Sequence, residues 1–132
     1  MIFIDPNNDD VINLVLEDDA GIDKDFFNRL KFLHEEMLIR DPKWDLLFLG
    51  RNPILRKNKS LSQNIEDAGY CYNTHCYIIS NRGVNKVLNL DLTNKLIPYD
   101  EFLSSLSWSH PRKSLNKLYL EEENKMRTYS SK

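Results

Sequence analysis

The chain is poor in the residues that build specialised scaffolds, with four glycines, two cysteines and three histidines in 132 residues. No P-loop, G-x-G-x-x-G turn or G-x-S-x-G nucleophile elbow occurs, so the common phosphate-cradling and serine-hydrolase signatures are excluded. Cys71 and Cys76 are too few to define a disulfide scaffold. Even with His75 between them they fall short of the four ligands of a closed zinc site. They read as buried, reduced thiols, and a bridge stays open only if the chain bends between them. Long hydrophobic runs are missing too. Leu46-Leu47-Phe48-Leu49 is among the longest, far below bilayer thickness, so no membrane span is expected. The first ten residues lack the basic start and apolar stretch of a secretory signal. Charge of one sign is also lacking: 18 basic residues face 20 acidic ones, a net charge of -2. That balance gives no whole-domain footprint for nucleic acid, and no nucleic-acid partner is expected.

What is there is the composition of a folded domain, 41% hydrophobic and 29% charged, with room for one ordinary domain in 15.6 kDa. Residues 11–16 are a short β-branched run ending at Glu17-Asp18-Asp19, which reads as a buried, parallel strand. Asp23 is placed to cap a helix over residues 24–40. Phe26, Phe27, Leu30, Leu33, Met37 and Leu38 give that helix one broad apolar face, and Pro42 closes it. Residues 44–49 form a second strand ended by Gly50, which completes a strand–helix–strand crossover. A third strand is expected near residues 76–79, in the same sheet. Ser80 then caps a short helix with Val84, Val87 and Leu88 on one side, and another short helix opens at Tyr99. Residues 51–67 read as a solvent-facing loop, and Ser130, Ser131 and Lys132 as an exposed, frayed end. Leu115, Leu118 and Tyr119 suggest one side of a brief helix. The fold class is α/β.

The chemistry-bearing groups are few. Glu17, Asp18 and Asp19 follow the best strand, at the carboxyl end where open α/β sheets place ligands. Their mutual repulsion falls if magnesium or manganese sits among their oxygens, with Glu17 and Asp19 on one side and Asp18 turned away. A solvated acidic turn is the alternative. Asp100 and Glu101 form a second pair, in which one carboxylate would accept a proton from a nucleophile and the other orient it. A helix-terminal acid pair, favoured by the local dipole, is the plainer alternative. His34 reads as surface-exposed. His75 points towards the strand mouth or is a satisfied, partly buried ring, and His110 sits in a loop where it would touch substrate or metal, or neither. Arg51, Arg56, Lys57 and Lys59 would neutralise a diphosphate, or form a solvated basic loop. Trp44 and Trp108 read as packing residues.

Four segments in order carry a family resemblance: Val15-Leu16-Glu17-Asp18-Asp19, residues 44–50, residues 76–83, and Ile97-Pro98-Tyr99-Asp100-Glu101-Phe102-Leu103. They resemble the family 25 glycosyltransferases, which include lipooligosaccharide sugar transferases and procollagen galactosyltransferases. The last segment, with Ser109-His110-Pro111 after it, is similar to the collagen-modifying branch. The resemblance implies a GT-A-like (Rossmann-like) nucleotide-sugar transferase domain using Mn2+ or Mg2+ and a UDP-sugar donor. Galactose would pass to a glycan or to the hydroxyl of a protein hydroxylysine. It puts the metal on Asp19, Glu17 and Asp18 and the base on Asp100; Glu101 as the orienting carboxylate and His75, Arg51 and His110 as substrate contacts remain candidates from the residues themselves. Family domains carry a substantial segment before the acidic motif and continue past the His110 region. The expectation is therefore a partial transferase domain over residues 1–111 with a polar tail over 112–132. An inactive transferase-like binding or assembly module is the second expectation, because an incomplete donor cleft should cost activity heavily.

Overall fold

The computed structural model describes residues 11–55, 59–90, 97–108, 112–114 and 125–132. Eight elements follow one another: β1 (Ile12–Leu16), α1 (Phe26–Arg40), β2 (Leu46–Leu55), β3 (Ile65–Asp67), β4 (Tyr70–Ser80), α2 (Asn81–Leu88), α3 (Tyr99–Ser105) and β5 (Thr128–Ser131). The five strands form one mixed sheet in the order β1-β4-β2-β5-β3. The architecture is α/β, with one apolar cluster on each face of the sheet. On one side Leu30 and Met37 of α1 pack with Trp44, Leu47, Ile65 and Ile78, and Phe26 and Leu33 lie against them. On the other, Phe102, Leu103 and Leu106 pack with Leu46, Phe48, Tyr77 and Ile79. Alternation along β2 and β4 explains the division, since successive side chains leave opposite faces of a strand.

The crossover exists in a modified form. β1 and β2 both run antiparallel to β4, which lies between them, so they point the same way without touching. The parallel strand expected at residues 11–16 is therefore an antiparallel one, and its neighbour comes from much later in the chain. Gly50 does not end β2. The strand runs on to Leu55 through register shifts around Gly50 and Pro53, where a glycine and a proline are tolerated because the ladder is already irregular. The supposed loop after Gly50 thus holds the second half of β2 and all of β3.

The frayed carboxyl end is also corrected. β5 pairs in parallel with β2 and antiparallel with β3, and Thr128 and Ser130 are buried. A strand of Thr-Tyr-Ser-Ser has no apolar signature. It is held by ladder hydrogen bonds on both sides, and Thr128 Oγ1 donates to Ser107 Oγ at 2.7 Å. The stretch containing Leu115, Leu118 and Tyr119 lies outside the described residues.

The α1 face is narrower than its pattern suggests, since Phe27 and Leu38 are exposed. Asp23 does not cap the helix. Its carboxylate accepts the Asp25 N–H at 2.9 Å and pairs with Arg29 at 2.7 Å, one turn before the helix proper. His34 is half-buried and meets Trp44 edge-on, with ring centroids 5.8 Å apart, so it is a packing residue rather than a surface one. Ser80 does cap α2, accepting the Gly83 N–H at 3.1 Å. Val84 and Val87 lean on the core while Leu88 faces solvent. Cys71 and Cys76 are free and buried. Five residues apart on one extended strand, they sit on opposite faces and out of disulfide range.

Candidate functional site

The carboxyl end of β1 is pinned by one hydrogen bond beyond its last pair. The Glu17 N–H donates to the His75 carbonyl at 3.0 Å, and the Ala20 N–H returns to the Glu17 carbonyl at 3.1 Å. The first bond extends the β1–β4 ladder, and the second turns Asp18 and Asp19 back over it. In consequence the His75 imidazole meets the Glu17 carboxylate, Nδ1 to Oε2 at 2.5 Å, on two half-exposed side chains. One ligand atom from each of Glu17, Asp19 and His75 lies within 4.8 Å of the others. Asp18 is not in this group. The structure therefore brings two of the three adjacent acids together and adds a histidine from a strand 58 residues away. Two carboxylates and an imidazole on accessible side chains are divalent-cation donors, the oxygens suited to manganese or magnesium and the ring nitrogen to softer first-row metals such as zinc.

His75 and Tyr77 leave β4 on the same face, two residues apart, and Tyr77 lies opposite Val15 of β1. That is the face covered by α3. The Tyr77 hydroxyl hydrogen-bonds the Tyr99 hydroxyl at the start of α3, so the strand that carries His75 is tied to the helix whose first turn carries Asp100 and Glu101. Burial raises the Tyr77 pKa first, and its bond to Tyr99 and the Glu17 charge raise it further. Its hydroxyl keeps its proton. Asp100 and Glu101 occupy the first turn of α3, and Asp100 Oδ1 accepts the Glu101 N–H at 2.9 Å. The helix is anchored beneath them. Ser104 Oγ donates to the Cys71 carbonyl at 2.5 Å and accepts the Cys71 N–H at 3.2 Å.

Other candidates fall elsewhere. Arg51 is not on a loop. It stands in β2 with its side chain only 5% exposed, and its guanidinium pairs with Glu66 at 2.6 Å. Because β5 separates β2 from β3, this pair ties non-neighbouring strands. His110, Arg56 and Lys57 lie outside the described residues. A cleft of about 390 Å³ beside α1, lined in part by Arg29, Leu33, Asn64 and Lys132, contains none of the candidates. Glu17, Asp19 and His75 are all exposed to solvent.

A second polar centre escaped the sequence reading. Asp45 is fully buried in the apolar run before β2. It accepts from Lys86 Nζ at 2.6 Å, Arg82 Nε at 3.3 Å and the Arg127 N–H at 2.8 Å. An aspartate inside Trp44-Asp45-Leu46-Leu47 was the available signal. Its partners, on α2 and just before β5, only folding brings near.

These features define an α/β protein with a carboxylate–histidine edge at the end of a strand. No family model and no solved structure matches the chain. Curated relatives do. Procollagen galactosyltransferase 1 of Danio rerio is 36% identical over 103 residues, covering 75% of this chain and 17% of that protein. Procollagen galactosyltransferase 1-B of Xenopus laevis is 35% identical over 104 residues, 76% of this chain and 17% of that protein. Inactive glycosyltransferase 25 family member 3 of Mus musculus is 34% identical over 101 residues, 74% and 17%. The chain is a glycosyltransferase family 25-like protein, and it spans about 17% of the length of these relatives.

Proposed function

We propose that the chain serves metal-dependent sugar transfer on a GT-A-like framework, with a UDP-sugar, galactose by preference, as donor. The acceptor is a glycan hydroxyl or a protein hydroxylysine. The observation that carries this reading is the convergence of Glu17, Asp19 and His75 on one edge, in a chain similar to galactosyltransferases. Glu17 and Asp19 would hold manganese or magnesium with hard oxygens, and His75 with a ring nitrogen. When bound, the cation neutralises the charge that develops on the departing diphosphate. Asp100 accepts the proton of the acceptor hydroxyl as that oxygen attacks the anomeric carbon, and Glu101 beside it orients the hydroxyl. This assignment belongs to one-step inversion. The Tyr77–Tyr99 link supports it by tying the base-bearing helix to the strand that carries His75.

Titration calorimetry with manganese and UDP tests the donor side. Manganese-dependent UDP binding should vanish in Asp19→Ala, and UDP binding indifferent to metal or to Asp19 overturns the assignment. Asp100→Asn should lower turnover by about 100-fold or more and leave manganese–UDP affinity unchanged, because the lost interaction belongs to the transition state. Turnover is read as UDP release from UDP-galactose with hydroxylysine peptide and with glycan acceptors. A second reading has its own observation. A relative named inactive is 34% identical, almost as similar as the named transferases. Folded protein that binds manganese and UDP but turns over no acceptor identifies a binding module.

A further inference from the structure

We infer that the ring of Tyr99 is a platform for the acceptor sugar, on which one C–H face of a pyranose packs before its hydroxyl reaches Asp100. This rests on the transferase reading for the nature of the ligand, but the geometry is its own. Tyr99 is 53% exposed, although it is a large aromatic side chain on a helix that otherwise buries Phe102 and Leu103. Among the described residues, the other large exposed aromatics, Phe27 and Phe32, lie on α1, across the sheet. Tyr99 is therefore the exposed ring on the side where Tyr77 and α3 meet.

The ring is also held. Its hydroxyl bonds Tyr77, which is almost fully buried, and its centroid lies 6.5 Å from that of Tyr77 and 6.4 Å from that of Phe102. A ring fixed by a buried partner has little freedom left to lose when a ligand covers it, which favours binding. Aromatic faces carry negative charge and sugar C–H groups are weakly positive, so the apolar side of a pyranose and the exposed part of the ring are complementary. Asp100 follows directly in sequence, and Glu17, Asp19 and His75 stand beyond Tyr77. A sugar resting on Tyr99 therefore lies on the face of the sheet that carries both the helix of the proposed base and the proposed metal edge.

Saturation-transfer NMR on the whole chain, with methyl β-galactoside as probe and no metal, tests the platform. Wild type should pass saturation preferentially to the C–H protons of one sugar face. Tyr99→Phe keeps the ring but loses the bond to Tyr77, so it should bind at most a few-fold more weakly than wild type and clearly better than Tyr99→Leu. Tyr99→Ala and the bulk-preserving Tyr99→Leu should each bind about tenfold more weakly. The thermal midpoint of each variant reports folding, and Tyr99→Leu carries the test if Tyr99→Ala unfolds. Three results overturn the platform: no one-sided transfer in wild type, undiminished binding in folded Tyr99→Leu, or Tyr99→Phe as weak as Tyr99→Leu. Manganese–UDP titration is the independent arm. If it fails while the galactoside still binds through Tyr99, the donor reading falls and the platform stands.

Discussion

Gly83 sits in the first turn of α2, where the helix crosses the chain before β2. A Cβ placed there would lie 2.6 Å from the Asp45 carbonyl oxygen and 2.8 Å from Ile79 Cγ1. The first contact is with backbone and cannot turn aside. Gly83→Ala should therefore destabilise the fold by about 1–3 kcal/mol, against the gain of up to about 1 kcal/mol that alanine brings to an ordinary helix interior. Thermal unfolding decides, and an unchanged or raised midpoint would show that α2 does not press on Asp45. Asp41 gives a pH-dependent case. Burial disfavours its charge, but bonds from the Tyr129 hydroxyl and the Lys43 N–H, with the Arg127 guanidinium beside it, outweigh burial and lower its pKa. A depressed carboxylate stabilises the native state fully above the ordinary carboxylate range, and that contribution is lost as pH falls through its lowered value. Asp41→Asn should cost about 1–3 kcal/mol at neutral pH, and denaturant titrations of variant and wild type should converge in acid. Burial likewise raises the thiol pKa of Cys71 and Cys76. Native protein should then resist thiol-specific alkylation until it is unfolded.

At the scale of elements, α1 is the most independent unit. Leu30 and Met37 are the buried centre of its contact with the sheet. Leu30→Ala should cost about 2–5 kcal/mol, whereas Ile39→Ala, on a side chain 79% exposed, should fall within about 0.5 kcal/mol. Equal losses in chemical denaturation would mean that the helix docks by another face. The same element shows why parts of this fold were legible from residues alone. A helix repeats its apolar positions within one local segment, so Phe26, Leu30, Leu33 and Met37 disclose it. The core of each early strand is visible for a similar reason. Strand partners are not local: nothing within residues 11–16 says that β4 will pair with them antiparallel, and Thr128-Tyr129-Ser130-Ser131 offers only the β-propensity of its first two residues, with no apolar run. The site divides in the same way. Adjacent acids after an apolar run announced Glu17 and Asp19, but the pairing of Glu17 with His75 depends on the β1–β4 register. The placement of Arg51 on a solvent-facing loop fails because a basic residue among Asn and Pro looks solvated until its pairing with the partly buried Glu66 is known.

Across the whole molecule, stability depends on closing long loops. β3 pairs with β5 and with no other named strand, and β5 fills the position between β2 and β3. Removing residues 128–132 should therefore release β3 together with β5, and it also removes the Tyr129 bond to Asp41. Hydrogen exchange should then show lost protection at Ala68, whose N–H donates to the Thr128 carbonyl at 3.2 Å, while the β1–β4 ladder persists. Protection unchanged at Ala68 would show that this edge holds without β5. The late strand also bears on synthesis. A chain emerging amino end first completes the β1–β4–β2 ladder well before residue 131 exists. At about 5–20 residues per second, the outer edge of β2 stands bare on the nascent chain for some seconds. An open row of amides and carbonyls is a template for another chain. The polar residues that later bury themselves in β5 thus act as the native plug for an edge that would otherwise recruit a stranger, and each ribosome must keep its unfinished product from its neighbours until that plug arrives.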